Sequence, residues 1–168
     1  MDAREVLIEF AGRPLAAAQT LHGLPAEALN RHPAGHPNSP AWLLWHAGRE
    51  IDLQLADLSG GEQVWTHGGF ARRSGLGVAG DDLGLGHTPE QARAIEVEDA
   101  GPLLEYLAEV TDALRSYVRS LAEEDLDVVV DDSWDPPTTR GVRLVSMIDD
   151  AAQHLGQAAY AVGAPDAS

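Results

Sequence analysis

Val145, Ile148, Ala152, Leu155, Ala159 and Val162 recur at alternating three- and four-residue intervals. That spacing lays apolar side chains along one stripe of a helix and requires a facing helix to cover them. It predicts a helix over about 140–162, ended by Gly163. Three further segments carry helical periodicity. Residues 3–22 place Val6, Leu7, Phe10, Leu15, Ala18 and Leu21 inward, with Pro14 as an interruption and Gly23 as the stop. Ser39-Pro40 opens a second helix as N-cap and first helical residue, and Gly60-Gly61 closes it after about Leu58. Leu44, Ala47, Ile51, Leu55 and Leu58 form one face of it; Trp42, His46 and Leu53 form another. A helix with two apolar faces is buried from two sides, so His46 is expected to point inward. A third helix over about 102–121 carries Leu103, Leu104, Leu107, Val110, Leu114, Tyr117, Val118 and Leu121.

The connections are uneven. Residues 24–40 hold prolines and histidines that fit no regular element, with a turn near 25–30. Residues 61–87 are Gly-rich and long for a connection, which suggests a functional lid. Thr88-Pro89-Glu90-Gln91 has the form of a capping box that starts a short helix. Residues 125–139 read as extended or irregular, because Pro136-Pro137 excludes helix there. The expected fold is all-α: a four-helix bundle with a long crossover between helices two and three, one domain over 1–168.

The formal net charge is −16, and every basic residue is Arg. Such a chain lacks the basic face that supplies most nucleic-acid affinity, and it is a poor match for anionic membranes. Without Lys there is no Schiff-base chemistry, and without Cys no disulfide, thiol nucleophile or thiolate-ligated metal. No apolar run is long enough to span a bilayer, and MDAREVLIEF lacks the layout of a signal peptide. A cytoplasmic location is the default expectation.

Asp150 and His154 are four residues apart, one turn along the same helix face. With His46 on a facing helix, they make a carboxylate and two imidazoles, a set that holds a first-row divalent ion and leaves positions open. The alternatives are a solvated acid at 150 and a hydrogen-bonded core histidine at 154. Glu50, four residues after His46, is a fourth ligand, a general base or a partner of a ligand; otherwise it pairs with Arg49 or faces solvent. Gln157 orients a ligand or makes an interhelical hydrogen bond. Asp149 points away from Asp150. His67 and His87 read as loop histidines, solvated unless the loop brings them to the site. The glycine run GLGVAG at 75–80 neither follows a strand nor opens a helix, so it is no cofactor loop.

NSPAWLLWHAGREID at 38–52, GEQVWT at 61–66, GLGHTPEQ at 84–91, LLEYLAEV at 103–110 and WDPPTTRGVRLVSMIDDAAQHLGQAAYAVG at 134–163 resemble the DinB-like superfamily, and more narrowly its mycothiol-transferase-like branch. The resemblance implies a helical bundle with a divalent metal, zinc or nickel, held by ligands from helices two and four. Carried over, those ligands are His46, Asp150 and His154. Asp150 stands where the wider family more often has His, which shifts preference toward manganese or iron. The resemblance further implies a low-molecular-weight thiol cosubstrate, such as mycothiol or bacillithiol, attacking a small electrophile in detoxification. Arg49, Arg72 or Arg73 would then pair with a carboxylate of thiol or substrate. Two other functions stay open: a non-catalytic metal- or ligand-binding stress-response protein, and a metal-dependent hydrolase with Glu50 as base. The resemblance also permits a homodimer.

Overall fold

The computed structural model describes residues 2–163. Met1 and 164–168, the ends of the expected 1–168 domain, lie outside the described residues. Four helical limbs pack around one core: α1 and α2 (Ala3–Phe10 and Gly12–Ala18), α4 (Pro40–Ser59), α8 (Gly101–Ser120) and α9 (Arg140–Gly163). The most extensive packing is α4 on α9, followed by α4 on α8 and α2 on α9. Short helices fill the connections: α3 (Ala26–Leu29), α5 (Val64–His67), α6 (Phe70–Arg73) and α7 (Pro89–Arg93). The expected all-α class is therefore observed, with one addition. Strands β1 (Val129–Asp131) and β2 (Thr138–Thr139) pair antiparallel, Val129 opposite Thr139, just before α9.

Local chemistry explains the boundaries. Ser39 Oγ accepts from the Trp42 N–H at 3.1 Å, and Pro40 fills the first turn, where no N–H is needed. Gly60 ends α4 in the left-handed conformation at φ 68°. Thr88 and Gln91 form the expected capping box. The first limb breaks a turn before Pro14. Proline has no N–H for the Phe10 carbonyl and its ring crowds that carbonyl, so α1 ends at Phe10. In α8 the apolar stripe holds, and Tyr106 joins it fully buried. Gly48 lets that ring approach α4: a Cβ there would sit 2.6 Å from Tyr106 Cε1.

The α9 seam is rotated from its expected register. Leu144, Met147, Ile148, Ala151, Leu155, Ala158 and Ala161 are buried, whereas Val145 is 47% exposed. On α4, Trp42 and His46 are buried as expected, but Leu53 is 37% exposed. It lines a cavity with Arg49, Trp65 and Leu83 rather than the core. That connection is not an open Gly-rich loop. Val64, Trp65, Phe70 and Leu76 anchor it in the core.

Candidate metal centre

Ser39-Pro40 starts α4 so that its second turn carries His46 and its third Glu50. The rotated seam of α9 turns Asp150 and His154 toward them. One donor atom from each of His46, Asp150 and His154 falls within 4.8 Å of the other two. The two imidazoles meet edge to face, with ring centres 4.8 Å apart. They form one wall of a cavity of about 540 Å³ that Trp42, Glu50, Gly84, His87 and Ser146 also line.

His46 is 5% exposed and stacks on Trp42 at 4.4 Å. Its Nδ1 lies 2.6 Å from the Leu83 carbonyl oxygen. A carbonyl only accepts, so Nδ1 carries the proton and Nε2 presents a lone pair. Burial pushes this imidazole below its usual range, and the Leu83 carbonyl acts in the opposite sense. Burial prevails and keeps the ring neutral, and the Leu83 carbonyl fixes its proton on Nδ1, so Nε2 is available in the form a metal requires. His154 lies 3.5 Å from Asp150 through Nε2 and 3.3 Å from Gln157 Oε1 through Nδ1. Gln157 thus touches the nitrogen that faces away from Asp150.

Glu50 Oε1 is 3.8 Å from His46 Nε2, and its other oxygen accepts from Gln54 Nε2 at 3.0 Å. Burial, and then the Asp150 carboxylate, raise the Glu50 carboxyl above the usual range, with Gln54 opposing. Glu50 makes no pair with Arg49. An ion with ligands at about 2.1 Å has donors roughly 3–4 Å apart, so closing this group requires one side chain to move by about an ångström. The half-buried Asp150 has that freedom. The donor set and the prepared tautomer of His46 fit a divalent ion.

Arg49 is not brought to this cavity. Its buried guanidinium donates to the Asp82 and Asp81 carbonyls at 3.0 and 3.1 Å and to Gln63 Oε1 at 2.9 Å, 3.6 Å from Asp52. A fork engaged in this way has no free edge for a cosubstrate carboxylate. Arg72 is exposed and lines a neighbouring cavity, and Arg73 pairs with Glu105 and Glu109 on α8. His67 is exposed at the end of α5, and Asp149 is exposed and bonded to Gln153. His87 is not the solvated loop residue expected from sequence. Its side chain is 7% exposed, accepts from Trp42 Nε1 at 3.2 Å and lies flat against Trp45.

Two functional positions escaped the sequence reading. Gly84 has φ +92°, and a Cβ there would stand 2.8 Å from Trp45 Cζ3 and 3.0 Å from His46 Nδ1. The glycine-leucine-glycine-histidine run at 84–87 was the available signal. Asp52 is 2% exposed and accepts from the Val64 N–H, the Trp65 N–H and the Tyr106 hydroxyl, each at 2.8 Å. It fixes the start of the connection that reaches back to His46.

Fold and site together define a helical-bundle protein with a His–Asp–His group, suited to a divalent ion, at the wall of an open cavity. The family model of the DinB superfamily matches residues 12–158, and the chain belongs to that superfamily. Among solved structures it is similar to a conserved protein from Enterococcus faecalis, with 35% identity, 96% of each chain covered and a TM-score of 0.86. No functionally curated protein matches the chain. Among the described residues, no helix is long and apolar enough to cross a membrane.

Proposed function

We propose that this protein is a divalent-metal-dependent S-transferase that joins a low-molecular-weight thiol to a small electrophile. The observation that carries the reading is the convergence of His46, Asp150 and His154 within 4.8 Å, in a chain that has no cysteine of its own. A divalent ion held there supplies Lewis acidity, which makes a thiolate available at neutral pH. Glu50 accepts the thiol proton; its burial-raised carboxyl keeps that transfer reversible. Sulfur then forms a bond to the electrophilic carbon. The displaced electron pair either leaves with its group or takes the proton back from Glu50. His46 keeps its reactive nitrogen bare through the bond to Leu83, and Gln157 holds the far nitrogen of His154. Trp42 walls the cavity, and its neighbour His87 is held by the indole N–H.

The test is thiol consumption by metal-loaded protein with a panel of electrophiles. Turnover should require metal and thiol together, vanish in His154→Ala, and fall about 10²–10⁴-fold in Glu50→Gln. A hydrolase reading draws on the same Glu50 contact, 3.8 Å from His46 Nε2. Ester or amide turnover without thiol would establish it instead, and metal binding with no turnover would leave a binding protein.

A further inference from the structure

The side chains of α4 that face the connection are matched to its backbone one residue at a time. The carbonyls of Gly80, Asp81, Asp82 and Leu83 accept from Trp45 Nε1 at 3.1 Å, Arg49 Nη2 at 3.1 Å, Arg49 Nε at 3.0 Å and His46 Nδ1 at 2.6 Å. Arg49 supplies the two central bonds. It lies one turn from His46 on the same face of α4, so its guanidinium sets the carbonyl next to the one that reads the imidazole. We propose that Arg49 is a positioning residue for His46, acting through the 80–83 backbone to keep the imidazole proton on Nδ1. The inference rests on the reading of His46, Asp150 and His154 as metal ligands.

The geometry gives reasons why another residue would not serve. A guanidinium carries donors in a rigid fork that spans adjacent acceptors; an ammonium is a point donor. Arg49 is 3% exposed, and its third bond, to Gln63, together with Asp52 at 3.6 Å, prevents the fork from rotating. The earlier part of the connection has anchors of its own, the Val64 and Trp65 N–H groups donating to Asp52. Losing the fork therefore loosens 81–83 without releasing the segment before it. Leu83 would drift from His46, and the ring would sample the tautomer with its proton on Nε2. That proton stands where the ion must bind.

The experiment uses metal-free protein with labelled histidine nitrogens, followed by zinc titration of the same samples. Wild type should show His46 protonated on Nδ1. Arg49→Lys keeps a cation beside Asp52 but not the fork. It should show a mixed tautomer and bind zinc about 10–100-fold more weakly. Gln63→Ala, which removes one tether of the fork, should shift both in the same direction by less. Val118→Ala, a buried truncation near the C-terminal end of α8, lowers stability away from 80–83 and should change neither. An unaltered His46 signature and unaltered zinc affinity in both Arg49→Lys and Gln63→Ala would overturn the proposal. Equal shifts in Val118→Ala would also overturn it, by reducing Arg49 to general stability. If wild type binds no zinc, the metal reading fails by itself. The tautomer comparison still decides whether Arg49 positions His46.

Discussion

Gly84→Ala should be costly out of proportion to one methyl group. The backbone there has φ +92°, a region that an L-residue enters at a cost of about 1–2 kcal/mol. The new Cβ would lie 2.8 Å from Trp45, 3.0 Å from Trp42 and 3.0 Å from His46 Nδ1. Trp45 is fully buried and the other two are 5% exposed, so none can retreat into solvent. Overpacking of this kind costs about 1–3 kcal/mol. Together these give about 2–5 kcal/mol, or a fall in Tm of roughly 4–20 °C for a chain of this size. The clash also falls on the nitrogen that bonds Leu83, so zinc affinity should drop in the molecules that remain folded. Urea denaturation of metal-free wild type and variant measures the first effect, and calorimetric titration at a temperature where both are folded measures the second. A stability change within about 0.5 kcal/mol, the range of an ordinary surface substitution, would refute the close packing of Gly84 on His46.

Three other outcomes follow from the structure. Asp52→Ala leaves the Val64 and Trp65 N–H groups and the Tyr106 hydroxyl without their acceptor, and should cost about 3–5 kcal/mol in urea denaturation. Leu144→Ala should cost about 2–5 kcal/mol, whereas the neighbouring Val145→Ala stays within about 0.5 kcal/mol, as the rotated seam requires. Glu50 sets a pH dependence in the metal-free protein. Its native carboxyl keeps its proton to higher pH than the unfolded value of 4.5, so its contribution is present below that pH and lost as pH rises through the native value. Glu50→Gln should therefore be at least as stable as wild type at neutral pH, with the advantage disappearing below pH 4.5.

The parts of the fold legible in sequence are those fixed by local chemistry. Ser39-Pro40, Gly60 and the Thr88–Gln91 box mark helix ends because their side chains or backbone freedom act within one turn. The register of α9 was not legible. Ala151-Ala152 and Ala158-Ala159 offer no contrast between neighbouring faces, and Val142 and Val145 are apolar yet exposed. His46, Asp150 and His154 were legible as a group because helical spacing alone places Asp150 and His154 together. The contacts that prepare them were not. Arg49 and His46 find their acceptors at 81–83, more than thirty residues on, and those acceptors are backbone carbonyls, which carry no sequence signal. For the same reason Arg49 reads as a ligand-binding cation from sequence. His87 reads as solvated because its partner Trp42 lies 45 residues away in the chain.

Metal content tests the central claim most directly. Untagged protein should be purified, exposed in turn to zinc, nickel, manganese and iron, and assayed by plasma mass spectrometry beside His46→Ala and His154→Ala. The account predicts about one divalent ion per chain in wild type and none retained by either variant. Folded wild-type protein that retains no ion, or variants that retain as much as wild type, would contradict it.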